Sequence, residues 1–197
     1  GSLTLGGTLD NSGVVTLNSG GGCYGADSIA VASSVGGTAR TWQGSGTFRL
    51  GDLTVSDMAK GATPATLTCD SCTQGTGVTG WTFGAAPSIP FHWGGEGADA
   101  NWNTALNWCG GVAPNTTQVA TFDGYYSSKN ATVNVAISVA GINLASTYTG
   151  TITQNATITV TVGASNYVQA GGTFTGGNSA ITVNGAYTLS GGTFTST

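Results

Sequence analysis

The 197-residue chain has only 4 Lys and Arg, 8 Asp and Glu, and 1 His, so charged residues make up 6% of it, against about 25% in an ordinary globular domain. The net charge is -4 and no basic patch is present, which excludes nucleic acid as an expected partner because phosphates are neutralised by clustered Lys and Arg. No apolar run reaches the roughly 18 residues that a membrane-spanning helix needs.

Gly and Thr dominate the composition, with 34 and 33 residues respectively. Gly-rich chains of low charge are often disordered. Here, however, 39% of the residues are hydrophobic, and Val, Ile, Leu and aromatic residues recur in short runs. We therefore expect a folded β structure. The first residues, Gly1 to Leu5, contain no basic region, so no signal peptide is visible in them.

Residues 1–84 alternate apolar and polar side chains with a period of two, which is typical of strands with one buried face. Leu3-Thr4-Leu5 and Leu53-Thr54-Val55 are examples. The runs end in Gly, Asn or Ser, residues that turn a chain at low energetic cost. No segment shows helical periodicity over ten residues, so this part is predicted to be all β.

Four cysteines are present, and they admit three pairings if all are oxidised: Cys23, Cys69, Cys72 and Cys109. An even number of cysteines in a chain of this composition is typical of an oxidising compartment. We expect disulfides that brace long turns, with Cys69 and Cys72 as the first candidates and Cys23 and Cys109 as further ones, and the sequence leaves the pairing among the four open. Zinc is the lesser alternative, because it needs four N or S ligands and the second half of the usual paired spacing is missing. We therefore predict no metal and no cofactor.

Residues 85–115 differ in composition from the stretches on either side. They contain the only His, the only Glu and three of the five Trp: Trp93, Trp102 and Trp108. We interpret this Trp-rich segment as a loop junction with no more than one helical turn, near residues 103–108. The three indoles either plug the open end of a β-helix, which we favour, or form a platform on which sugar rings stack.

Residues 116–197 contain an internal repeat. The stretch Tyr167 to Thr175 recurs 20 residues later as Tyr187 to Thr195, with Tyr, two Gly, two Thr and Phe in the same places. Short strands separated by Gly turns at this period predict a β-solenoid with rungs of about 20 residues. Successive rungs lie about 4.8 Å apart, so Phe174 would stack on Phe194 in a core ladder. The alternative is a pair of similar hairpins in a β-sandwich.

Two further patterns concern assembly and binding. After Thr197 the repeat calls for a strand like Ala180 to Gly185, and Ser2 to Gly7 has that pattern. We therefore expect a window of a longer tandem array, able to associate with itself end to end.

The Thr-x-Thr tripeptides, such as Thr151 to Thr153, match the faces of ice-binding solenoids in pattern only. Their irregular spacing makes ice binding a lesser alternative than sugar binding.

The Trp-rich segment resembles a module of very large secreted bacterial surface and adhesin-type repeat proteins. The resemblance is carried by an N-W, N-W-x-x-G, P and T-F series that precedes Gly- and Thr-rich rungs: Asn101-Trp102, Asn107-Trp108-Cys109-Gly110-Gly111, Pro114 and Thr121-Phe122. Gly46-Thr47-Phe48 and Gly80-Trp81-Thr82-Phe83 resemble the end of such a module. The resemblance implies a right-handed parallel β-helix at the cell surface. It also implies a division into modules. Residues 1–84 would form the end of one module, residues 85–115 the junction, and residues 116–197 the start of the next module.

No catalytic residue is expected. A glycosidase needs two carboxylates about 5 to 9.5 Å apart, whereas Asp52 and Asp57 are typical of turns. His92, Glu96 and Asp99 lie near one another in the sequence, but without the spacing of a known acid–base site. We predict a non-enzymatic structural segment of an extracellular fibre, stalk or adhesin, with itself as partner. The alternative is a binding module for surface glycans.

Overall fold

The computed structural model describes residues 1–17, 23, 29–64 and 66–196. The chain forms two compact units, Gly1–Gly20 with Tyr24–Ser88 and Gly21–Cys23 with Ile89–Thr197. Short strands make up both units, and the helix in the described part is a single 3₁₀ turn at Ala105–Asn107. This confirms the prediction of one turn near residues 103–108. The division of the sequence into modules stays a prediction.

Unit 1 winds its strands into stacked rungs, a rung being one turn of the chain. Its strands are β1 (Ser2–Leu5), β2 (Leu9–Asp10), β3 (Val14–Leu17), β4 (Ile29–Ser33), β5 (Arg40–Gln43), β6 (Thr47–Gly51), β7 (Leu53–Ser56), β8 (Met58–Lys60), β9 (Thr68–Asp70), β10 (Thr73–Gln74) and β11 (Thr82–Gly84). They form three sheets with the orders β1-β4-β7-β10, β2-β5-β8 and β3-β6-β9-β11. Neighbouring strands in each sheet come from successive rungs and run parallel.

Unit 2 repeats this arrangement with more regular rungs. Its strands are β12 (Val119–Phe122), β13 (Ala131–Val133), β14 (Ile137–Val139), β15 (Gly141–Leu144), β16 (Thr151–Gln154), β17 (Val160–Val162), β18 (Tyr167–Gln169), β19 (Thr173–Thr175), β20 (Ile181–Val183), β21 (Tyr187–Leu189) and β22 (Thr193–Thr195). The sheets have the orders β12-β15-β18-β21, β13-β16-β19-β22 and β14-β17-β20.

The predicted all-β, parallel β-solenoid fold is confirmed. It comprises about 8 turns with a spacing of about 22 residues, and its stacked parallel strands exclude the sandwich of hairpins. The 20-residue period applies to the last pair of rungs, in which Tyr167 pairs with Tyr187. The rung before is longer, since Ile142 pairs with Tyr167. Added residues lie in the turns and leave the strand register intact.

Strand β17 is shorter than the alternating sequence pattern around it indicates. The alternating run from Thr157 to Val162 contributes only Val160–Val162 to β17. Thr157 has a positive φ of 64°, and its backbone N–H donates to the Asn178 side chain. The left-handed backbone at Thr157 belongs to a turn. The alternation of apolar and polar residues therefore begins in the turn, before the first residue of β17.

The repeated Gly-Gly pairs mark the tightest turns of unit 2. Gly172 and Gly192 both have positive φ, 63° and 76°. A Cβ on Gly192 would collide with the carbonyl oxygen of Gly172 in the preceding rung. Only glycine combines that backbone conformation with so close an approach, which explains why the pair recurs in register.

Inward-facing side chains fill each solenoid. Unit 1 has a core around Trp42, Leu50 and Met58, and the Trp42 indole N–H lies 3.1 Å from the Met58 sulfur. In unit 2 the core runs from the Trp-rich segment to Phe174, which is fully buried. The Phe174 ring stacks on that of Phe194 with centroids 5.2 Å apart and planes 13° apart. The two rings therefore occupy the successive rung positions expected from the repeat.

Candidate functional site

The Trp-rich segment lies on the first rung of unit 2 as an irregular additional layer. The Trp93 N–H donates to the Thr121 carbonyl over 2.8 Å, and the Thr121 N–H donates to Phe91 over 3.0 Å. Trp102 is attached to β13 in a similar way, because its backbone N–H donates to the Thr132 carbonyl over 2.8 Å. Parallel bridges thus attach the segment to β12 and β13. The segment thus satisfies backbone groups of Thr121 and Thr132 without forming a full strand.

The three indoles of this segment are buried together over the core. Trp93, Trp102 and Trp108 are 0%, 1% and 1% exposed. Trp108 meets Trp93 and Trp102 edge to face, with centroids 5.2 and 4.8 Å apart. All three lie within 5.8 Å of the Phe122 ring. A sugar platform needs an exposed ring face, so this burial favours the cap interpretation over the platform.

The indole N–H groups of Trp93 and Trp108 are hydrogen-bonded. The Trp93 indole N–H donates to the Lys129 carbonyl over 3.1 Å, and that of Trp108 donates to the Trp102 carbonyl over 2.7 Å. Buried indoles that find acceptors cost little desolvation energy. The cap is therefore a packed and hydrogen-bonded element.

Asn107 is the polar centre of the cap, and the sequence analysis missed it. It is fully buried. Its amide nitrogen donates to the carbonyls of Asp99 and Asn101 over 3.0 and 2.8 Å. Its amide oxygen accepts the Gly97 N–H over 2.7 Å. Its backbone carbonyl accepts from Gly94 as well. One side chain thus holds three points of an otherwise irregular loop.

The polar residues predicted near one another, His92, Glu96 and Asp99, are engaged separately. Burial lowers the pKa of His92, an effect that Asp123 opposes. The Thr104 hydroxyl, by hydrogen bonding, lowers the pKa of the exposed Asp99. Glu96 accepts the Cys23 backbone N–H over 3.1 Å. Each group has a structural partner of its own, so the structure gives no support for an acid–base pair among them.

Asp52 and Asp57 occupy turn positions in unit 1. Both have positive φ, 54° and 51°, a conformation that Asp tolerates better than most residues. The Asp57 carboxylate accepts the Gly37 N–H over 3.0 Å. These are the properties of turn residues, in line with the expectation from sequence.

The cysteines form two disulfides, as predicted. Cys69 pairs with Cys72, with Cα atoms 5.6 Å apart. Cys23 pairs with Cys109, with Cα atoms 4.9 Å apart and a sequence separation of 86. Cys109 lies in the Trp-rich segment, so the second bond fixes that segment covalently. Among the described residues no cysteine is free and no three His, Cys, Asp or Glu side chains gather as a metal site requires.

The last rung of unit 2 leaves its core positions uncovered, and we call β20, β21 and β22 the open edge. Tyr187 and Leu189 are 46% and 45% exposed. One rung earlier, the paired residues Tyr167 and Gln169 are fully buried. A concavity of about 500 Å³, partly lined by Phe194, lies along this edge. The same inward positions that form the core elsewhere are therefore a partly apolar surface here.

The fold and these features define a parallel β-solenoid whose unit 2 carries a buried Trp-rich segment on its first rung. Comparison of the chain with family models, with curated proteins and with solved structures gives no match. Within the described ranges, no helix combines the length and apolar character that crossing a bilayer requires.

Proposed function

We propose that the chain is a non-enzymatic structural segment of an extracellular fibre, stalk or adhesin. In this proposal it works as a rod that lengthens by stacking rungs. Two disulfides support an oxidising compartment. Stacked rungs in which each strand hydrogen-bonds its neighbours support a mechanical role. The resemblance to adhesin-type repeat modules points the same way.

The observation that carries the proposal is the regular stacking of rungs in unit 2. From β13 to β22 the strands pair in parallel and in register, so each rung offers the next the same backbone groups and inward side chains. Tyr187 and Leu189, at inward positions of the rung β20 to β22, are nearly half exposed. Unpaired strand edges with exposed apolar groups recruit further strands unless charge or a cap prevents it. No Asp, Glu, Lys or Arg follows Lys129 in the sequence, so charge does not protect the open edge.

The occupant we propose for the open edge is the first rung of a second copy, β1 to β3. The inward residues are spaced alike, with Ile181 and Tyr187 in one rung and Leu3 and Leu9 in the other. Leu3 and Leu9 are half-buried, so contact would remove apolar surface on both sides.

Sedimentation velocity over a range of protein concentrations tests this stacking. The wild-type chain should form species larger than the 19.4 kDa monomer in increasing proportion. Leu189→Lys places a charge at the open edge and should leave a monomer. Leu106→Lys, at a 68% exposed site in the Trp-rich segment, is the matched control and should behave like the wild type. A wild-type chain that stays monomeric, or equal loss in both variants, would contradict the proposal.

A further inference from the structure

Threonine side chains form two uninterrupted columns on one face of unit 2. In the sheet β13-β16-β19-β22, outward residues of successive rungs pair in register. One column is Thr132, Thr153, Thr175 and Thr195, and the other is Thr151, Thr173 and Thr193. We call these seven residues the threonine face. The irregular spacing of the tripeptides in sequence disappears here, because the extra residues are confined to the turns.

The other two faces of unit 2 lack such an array. Outward positions of the sheet β14-β17-β20 hold Ser138, Thr161 and Thr182 in a single mixed column. In the sheet β12-β15-β18-β21, the corresponding column is Thr121, Asn143, Val168 and Thr188. Thr therefore occurs on all three faces, but the columns of Thr alone lie on the threonine face.

The chemistry of the threonine face is uniform. Each residue presents a methyl and a hydroxyl group, and β-branching restricts the side chain to few rotamers. All seven side chains are half-buried or exposed. No charged residue occurs after Lys129. A ligand for this surface must therefore be uncharged and must accept or donate hydrogen bonds at regular intervals.

The geometry of the face is set by the β-solenoid. Rungs repeat at about 4.8 Å, and outward residues two positions apart along a parallel strand are separated by about 6.6 Å. The rung repeat is close to one of the repeat distances of water molecules in ice. The face carries no aromatic ring, the usual means of stacking on crystalline sugars. Ordered water is the extended, uncharged lattice that fits the array.

We infer that the threonine face binds ice. Methyl groups would hold water in an ordered layer, and hydroxyl groups would hydrogen-bond into that layer. The inference is independent of the proposed structural function, because it concerns the outward side chains of one sheet and not the inward residues at the open edge. A rod carrying such a face would adhere to an ice surface along its length.

Ice-affinity capture tests the inference. A solution of the chain is frozen slowly onto a cold probe, and the fraction of protein in the ice is compared with that of a charged globular protein of similar mass. The wild-type chain should enter the ice, and Thr153→Tyr should lower the captured fraction at least tenfold by breaking the flat array. Thr161→Tyr, on the neighbouring sheet, should be captured like the wild type.

Circular dichroism and thermal unfolding check that each variant is folded. If Thr153→Tyr unfolds at a lower temperature than Thr161→Tyr, Thr153→Lys takes its place at this exposed position. Three results would each overturn the inference: exclusion of the wild type from ice, equal capture of the Thr153 variant, or equal loss in the Thr161 control. Retention of the wild type on crystalline cellulose but not in ice would also overturn it.

Discussion

Removing the Asn107 side chain should destabilise the Trp-rich cap far more than its size suggests. Asn107→Ala deletes three hydrogen bonds, of 3.0, 2.8 and 2.7 Å, within the cap loop. At about 1 kcal/mol for each bond, the expected loss is about 3 kcal/mol of unfolding free energy. That corresponds to roughly a hundredfold change in the folding equilibrium constant.

Urea unfolding followed by tryptophan fluorescence measures this loss, since the three cap indoles pack against one another. Asn103→Ala is the matched control in the same loop. The Asn103 side chain is exposed and accepts a hydrogen bond from the Asn134 amide, so a loss of about 0.5 kcal/mol or less is expected. Should Asn107→Ala cost no more than Asn103→Ala, Asn107 would not be the polar centre that holds the cap.

Three further changes test the core, the covalent bracing and the buried tyrosines. Phe174→Ala should cost about 3–5 kcal/mol in urea unfolding, and Phe194→Ala clearly less because its rung is partly exposed; equal costs would contradict the stacked ladder. Replacing both Cys23 and Cys109 with Ser should lower stability by about 4 kcal/mol, since a bond between distant residues restricts the unfolded chain most; an unchanged urea midpoint would refute this. Burial raises the pKa of Tyr148, so folding disfavours its ionised form. The stabilisation is present below about pH 10 and is lost as the pH rises above that value, by up to about 1.4 kcal/mol per pH unit. Tyr148→Phe should reduce the loss in urea unfolding at high pH, and an unaltered pH profile would contradict the assignment.

The fold was predictable because stacked rungs repeat the same residue types at corresponding positions of the sequence. Inward positions such as Phe174 and Phe194 recur in register, and period-two alternation marks the strands between them. The rung length was less predictable. A turn can take up extra residues without changing which strand residues pair, so a period read from the last two rungs does not extend to the earlier ones.

The cap was predictable in outline and not in detail. Clustered Trp between two β-rich stretches indicated a plug or a platform, and only burial separates these alternatives. Asn107 could not be distinguished from the many other Asn residues, because a buried amide is recognised by its partners and not by its own identity. The recurrence of Asn-Trp at Asn101 and Asn107 was the only available signal.

The threonine face shows the opposite case. Sequence spacing made the Thr-x-Thr tripeptides look irregular, since Thr151, Thr173 and Thr193 are unequally separated along the chain. The register of the strands aligns them. A surface pattern in a solenoid is therefore read from strand pairing, and linear spacing alone misleads wherever turn lengths vary.

Site-specific cross-linking between copies tests the stacking of rungs most directly. The proposed register places the outward residues Thr4 of β1 and Thr182 of β20 side by side, at a distance that a disulfide can bridge. Thr4→Cys with Thr182→Cys, mildly oxidised, should give a ladder of dimers and larger species on a non-reducing gel, and reductant should collapse it. Thr4→Cys with Thr161→Cys, in which the second cysteine lies on the interior strand β17, should give none. Monomer alone from the first pair, or equal ladders from both, would contradict end-to-end stacking of the β-solenoid.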